Sequence, residues 1–146
     1  GKPCGFFCSS RGLRQVDPLS PAFFIIAAAV LSRSLNSLPV ASRFAPFFVT
    51  RECPPLTHLA YADNVIIFSN GGKRSLGCVM RVLEGYQGVS GQLVNVAKSC
   101  FLVDRRVSLV RRRLIAQVTG FPAKSLPVTY LGCPLFGGEK SEVFIR

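Results

Sequence analysis

The stretch that most constrains this chain is His58-Leu59-Ala60-Tyr61-Ala62-Asp63-Asn64-Val65-Ile66-Ile67-Phe68. Thr57 to Tyr61 reads as one short strand, and Val65 to Ser69, rich in β-branched and aromatic residues, reads as a second. Ala62, Asp63 and Asn64 are left for the turn between them. Asp and Asn suit a turn because their side chains bond to nearby backbone and tolerate unusual φ. The pattern therefore predicts a hairpin with buried arms that lifts one carboxylate, Asp63, and one amide, Asn64, on its tip. An ordinary hairpin with a polar turn would carry the same residues, so four positions alone do not decide a function.

Composition narrows the choice. The 146 residues match one domain and include enough apolar side chains to bury a core. The net charge of +11 favours polyanions, nucleic acid ahead of an anionic membrane surface. A basic surface with no dedicated partner is the competing reading. The six cysteines include no Cys-x-x-Cys pair and are accompanied by a single histidine, so a zinc site is not expected. Thiols buried in a reducing compartment fit their apolar surroundings better than disulfides do. The apolar run Pro21 to Leu31 is too short to span a bilayer, and a soluble intracellular protein without a membrane partner is expected. The chain opens at Gly1 rather than Met and reads as a fragment.

Around the hairpin, the periodicity predicts three helices. The first is capped by Asp17 or Ser20, tolerates Pro18 or Pro21 in its first turn, and shows Phe23, Ile26, Ala27, Val30, Leu31 and Leu35 on one face. The second carries Leu76, Val79, Met80, Leu83 and Tyr86 and ends near Gly88 to Gly91. The third follows Ser108 and ends at Gly120. Phe47 to Thr50 and Ser99 to Val103 read as short strands. Within the third helix, Arg111, Arg112 and Arg113 point roughly 100° apart and fan over the surface. A solvated face and a phosphate contact are both open readings of this triplet.

Four motifs along the chain carry a resemblance to one family. Arg11 to Pro21 matches Arg-Gly-Leu-Arg-Gln-Gly-Asp-Pro-Leu-Ser-Pro everywhere except Val16, where the motif has Gly. Tyr61-Ala62-Asp63-Asn64 resembles a Tyr-x-Asp-Asp box with Asn in the second carboxylate position. Ser90 to Ser99 matches Ser-Gly-Gln-x-x-Asn-x-x-Lys-Ser, and Leu126 to Leu135 matches Leu-Pro-x-x-Tyr-Leu-Gly-x-Pro-Leu. In this order they resemble the reverse transcriptases of plant non-LTR, LINE-type retrotransposons, from about Gly5 to Gly138.

The resemblance implies an α+β fold: a partial polymerase palm, with a small antiparallel sheet and helices packed on one face. Residues 1–146 would form a partial reverse transcriptase domain, palm over about 5–104 and the start of the following region, with a primer-grip-like hairpin, over about 105–146. It implies an RNA-directed DNA polymerase acting on RNA template, DNA primer and dNTP with Mg²⁺. Asp63 would be catalytic and bind metal, Asn64 would hold the degenerate catalytic position, and Lys98 would donate a proton to departing pyrophosphate. Arg14, Gln15 and Val16 would lie at the nucleotide, with Val16 restricting φ and filling space that Gly leaves open. Arg11, Tyr61, Tyr130 and Gly132 would contact nucleic acid. Two Mg²⁺ ions need hard anionic oxygens, and the family supplies a further Asp from a strand that would precede Gly5. With one turn carboxylate left, a catalytically defective fragment is expected. A non-catalytic basic nucleic-acid-binding remnant is the alternative.

Overall fold

The computed structural model describes residues 17–40, 44–48, 52–125, 127–135 and 143–145. Arg11, Arg14, Gln15 and Val16 lie outside them. Helix α1 spans Ser20–Ser37 and runs on into a 3-10 turn, Leu38–Val40. The expected cap is not formed: the N-cap residue is Leu19, with no side-chain capping bond, and Asp17 Oδ1 instead accepts from the Leu19 backbone N–H at 2.9 Å in the turn before the helix, while Pro21 fills a first-turn position that needs no donor. The buried stripe differs from the expected one. Leu31, Leu35 and Leu38 enter the core with Ala27 beside them, but Phe23, Ile26 and Val30 are exposed. All-round apolarity is the reason, because a helix with little polar surface gives its sequence no way to mark the inner face. The 21 residues from Ser20 to Val40 are also long and apolar enough to cross a membrane by length and composition, which corrects the length expected from Pro21 to Leu31 alone. Here the C-terminal half of the segment is anchored in the protein core.

The main sheet runs, in spatial order, β1 (His58–Tyr61), β2 (Asn64–Phe68), β7 (Val143–Ile145), β3 (Cys100–Leu102) and β4 (Ala123–Lys124). Strands β1 (His58–Tyr61) and β2 (Asn64–Phe68) form the expected hairpin, with Tyr61 opposite Asn64, so the turn holds only Ala62 and Asp63. Asn64 therefore belongs to the strand rather than to the loop. Only one arm is buried: Val65, Ile66 and Ile67 are in the core, whereas β1 is an edge strand with Leu59 and Tyr61 exposed. β3 (Cys100–Leu102) pairs in parallel with β4 (Ala123–Lys124). β7 (Val143–Ile145) lies between β2 and β3 and is antiparallel to both. The strand expected at Phe47 to Thr50 reduces to a single bridge between Phe47 and Leu56, with Phe47 stacked on Phe68 at 5.6 Å; Val49 and Thr50 are outside the described residues.

Helices α2 (Lys73–Ser90) and α3 (Leu109–Thr119) end at Gly91 and Gly120, both left-handed, with φ of +70° and +73°. Such a C-terminal residue is usually glycine because it has no Cβ to clash. Ser108 caps α3 by accepting from the Arg111 N–H at 3.3 Å. The strand alternation then sorts the core into two layers. Val65, Ile67, Phe101 and Val103 meet the helices through Leu35, Leu76, Val79, Leu83 and Ile115. Ile66, Cys100 and Leu102 point to the opposite face, where Phe68, Val128 and Tyr130 pack on them. Val128 and Tyr130 come from a separate hairpin, β5 (Val128–Tyr130) and β6 (Cys133–Leu135). The fold is α+β, with helices on one face of a mostly antiparallel sheet and a small hairpin on the other.

Candidate functional site

The β1–β2 turn is tight because Tyr61 and Asn64 pair directly across it. Ala62 takes φ of +50°, a region that costs an L-residue roughly 1 kcal/mol or more. The bend presents Asp63 at the surface, where its Oδ1 accepts from the Asn64 side-chain Nδ2 at 3.2 Å. The two side chains at the tip therefore face each other as acceptor and donor. Two carboxylates in these places would repel unless a cation lay between them. An amide satisfies the carboxylate without one.

The turn is braced from both sides. Across the second face of the sheet, the Tyr130 hydroxyl donates to the Asn64 backbone carbonyl at 3.3 Å, and burial holds that phenol above its ordinary pKa. The β5–β6 hairpin is thus tied to the tip, and its own two-residue turn has positive φ at both Leu131 (+50°) and Gly132 (+81°). On the helical side, Asp63 and Ala62 line a small cleft with Phe24, Ser32, His58 and Gln92.

His58 was not singled out by the sequence, yet it is the most constrained polar group beside the turn. Thr57 Oγ1 donates to Asn36 Oδ1 at 2.6 Å, so toward His58 Nδ1, 2.9 Å away, the hydroxyl can only accept. His58 Nδ1 therefore carries the proton, and in the neutral ring Nε2 accepts from Ser32 Oγ at 2.9 Å. Burial lowers the His58 pKa, which favours this neutral ring. The relay Asn36–Thr57–His58–Ser32 fastens β1 to α1 and sets the angle at which the hairpin leaves the helix layer. A single histidine beside a threonine is too weak a signal to show this in advance.

Lys98 is exposed, and its backbone N–H bonds back to Asn95. Strand register gives its position relative to Asp63. Ile66 is opposite Ile145, and Ile145 is opposite Cys100. Asn64 lies two residues before Ile66, and Lys98 lies in the turn that leads into Cys100, so both are at the same end of the sheet. The Ser90–Ser99 motif also has local structural work. Gly91 closes α2, Gln87 Oε1 accepts from the Val94 N–H, Tyr86 donates to Gln92 Oε1 at 2.7 Å, and Asn95 collects the Lys98 and Ser99 donors. Gln92, to which the sequence assigned no role, reaches the cleft beside Asp63.

Asp63, Asn64, Tyr61, Tyr130 and Gln92 are thus gathered around one turn, with Lys98 at the same end of the sheet. Arg11, Arg14, Gln15 and Val16 cannot be placed, since they lie outside the described residues. As for metal, no group of three His, Cys, Asp or Glu side chains converges among the described residues. The turn offers one carboxylate, already hydrogen-bonded, and one neutral amide. That donor set does not fit a pair of Mg²⁺ ions, each of which needs several hard oxygens in octahedral geometry.

The reverse transcriptase (RNA-dependent DNA polymerase) family matches residues 1–135 of this sequence, and the chain belongs to that family. An uncharacterized mitochondrial protein of Arabidopsis thaliana is 41% identical over 64 residues, which is 44% of this chain and 52% of that protein. The chain therefore spans about half the length of this curated relative. No solved structure matches the chain.

Proposed function

We propose that this chain is a piece of a LINE-type retrotransposon's RNA-directed DNA polymerase and does not by itself support DNA synthesis. Under this reading residues 5–104 are palm, residues 105–146 begin the region that follows, and the ancestral substrates are RNA template, DNA primer and dNTP with Mg²⁺. The observation that carries the loss of activity is the 3.2 Å bond from Asn64 Nδ2 to Asp63 Oδ1. The second carboxylate position holds a donor, and that donor occupies the first carboxylate.

In-line phosphoryl transfer depends on metal-held charge at the attacking and leaving oxygens. Losing one of its carboxylates removes roughly 3–5 kcal/mol of transition-state stabilisation, or about two to four orders of magnitude in rate. In this reading Tyr130, on the β5–β6 hairpin, belongs to a primer-gripping element and Lys98 is the proton donor; the bond from Tyr130 to the Asn64 carbonyl and the place of Lys98 at the same end of the sheet support those roles.

Incubation with primed RNA, dNTPs and Mg²⁺ tests the reading directly. No extension is expected, and processive extension by the unaltered chain would refute it. Asn64→Asp should tighten Mn²⁺ binding by about tenfold or more, read by calorimetry, because it replaces the donor with a second anionic oxygen. Unchanged binding would show that the amide is not what limits the site.

A further inference from the structure

We propose that the outward stripe of α1 is a two-fold interface, on which a second copy of this chain seats its own α1 in the opposite direction. Leu19, Phe23, Ile26 and Val30 follow one another at spacings of four, three and four residues, and Leu19 already has helical φ and ψ. At about 100° per residue they fall within roughly 80° of one another around the helix. All four are exposed, between 46% and 61%. The core takes a different stripe of the same helix, Leu31, Leu35 and Leu38, so the outward one is left half open to solvent. An apolar seam at four-three-four spacing is what lets the side chains of one helix sit between those of another. Ala22 and Ala29 border the seam, and small side chains there let two helix axes come close.

The seam borders a groove rather than a flat face. Phe23, Ile26 and Val30 form one wall, and Tyr86 and Val89, from the last turns of α2, form the other, around a space of about 470 Å³. A groove walled by two helices has the shape to take a third. Its extent suits a dimer. At about 200 Å² for a large side chain, the exposed parts of Leu19, Phe23, Ile26, Val30 and Val89 come to roughly 600 Å². With the alanines and polar residues between them, the face approaches the ~800 Å² per partner of a stable interface.

Charge sets the direction. Arg33 continues the seam three residues beyond Val30 and is the only charged residue of α1. Parallel helices would bring the two Arg33 side chains together. Antiparallel helices, with the two-fold axis near Ile26, put Phe23 of one copy against Val30 of the other, and Leu19 against the aliphatic stem of Arg33. The two guanidinium groups are then about 20 Å apart along the helices, well beyond a Debye length of about 8 Å.

A bilayer fits this face less well. The segment Ser20–Val40 has the length and apolarity to cross one, but its C-terminal half is held in the core by Leu31, Leu35 and Leu38. A helix lying on a bilayer presents basic side chains beside its apolar face. Here α1 has Arg33 alone, and the α2 wall, residues 86–92, has no charged residue. A flat bilayer also leaves a concave groove unfilled.

Sedimentation equilibrium of the unaltered chain, from about 1 to 100 µM, tests the assignment. A reversible equilibrium with a limiting mass twice that of one chain is expected. Because each copy carries a net charge of +11, added salt should strengthen the pairing, the opposite of a contact made to phosphate. Ile26→Lys sets two ammonium groups at the two-fold axis and should weaken dimerisation at least about a hundredfold, with the far-UV circular dichroism of the parent. Leu19→Glu should keep the dimer, because Arg33 of the partner subunit faces the new carboxylate, whereas Leu19→Lys should weaken it at least about tenfold. Equal losses in the two Leu19 variants would overturn the antiparallel arrangement. A monomer throughout the range, or a dimer abolished by Leu59→Lys and not by Ile26→Lys, would overturn the interface itself. Phosphatidylcholine vesicles provide the membrane arm: flotation of the parent that Ile26→Lys abolishes, with no dimer in solution, would assign the face to lipid and sink the proposal. None of these readouts involves the Asp63 turn, so a failure of the polymerase reading leaves them unaltered.

Discussion

At the scale of single residues, the turn carries both its chemistry and its strain. Ala62 is held at φ of +50° because a two-residue turn between paired Tyr61 and Asn64 leaves it no other course. Glycine adopts that φ without a Cβ penalty, though it gives up more chain entropy on folding. Ala62→Gly should therefore stabilise the protein by about 0.5–1 kcal/mol, read as a higher urea midpoint with unchanged slope. A lower midpoint would mean that the neighbouring cleft, not the backbone, sets the energy of this position. Asp63 was legible in the sequence because an acidic residue between two apolar arms has to sit where the chain reverses and meets water. That Asn64 turns its amide on the Asp63 carboxylate was not legible, since a side-chain rotamer leaves no trace in residue order.

At the scale of elements, glycines and one histidine decide how firmly the helices hold the hairpin. Gly85 is inside α2 with nothing within 4 Å of a built Cβ, so Gly85→Ala gains helix propensity, about 0.5–1 kcal/mol. Gly91 has equally open space, but its φ is +70°, so Gly91→Ala should cost about 1 kcal/mol or more. Opposite shifts in thermal midpoint are expected from the same chemical change, and shifts of the same sign would refute the assigned helix end. The His58 relay adds a pH dependence. Burial lowers the folded-state pKa, so below the ordinary histidine range, about 6.5, the unfolded chain binds a proton that the folded chain resists. Stability should be fullest above that range and fall as pH drops through it toward the lowered folded value. Denaturant titrations from neutral to mildly acid pH should show this fall in the parent and a weaker one in His58→Gln. The helix ends were legible from Ser108, Gly91 and Gly120, because caps are local chemistry. The β1–α1 relay was not, because its members are more than 20 residues apart in sequence.

At the scale of the whole molecule, the sheet order and the outer faces were the least legible features. Strand pairing such as β7 between β2 and β3 joins distant segments, and three-residue strands carry too short an alternation to announce a partner. The α+β layering was what the family resemblance implied, and the three helices were legible from their periodicity, but which side of α1 faces inward was not. That ambiguity has a physical consequence. Phe23, Ile25, Ile26 and Val30 are 52%, 65%, 59% and 46% exposed, a contiguous apolar surface of a kind that drives association. The edge strand β1 is the other candidate, with Leu59 49% exposed and its outer ladder unpaired among the described residues. The helix offers several large side chains and the strand only four residues, so the helix should dominate. Ile26→Lys with Val30→Lys should cut aggregation, followed by light scattering, severalfold while changing the thermal midpoint little, because neither side chain is in the core. Leu59→Lys should do much less. If the strand substitution proves the more effective, association runs through backbone pairing at β1, and the apolar face of α1 is not what brings copies of this chain together.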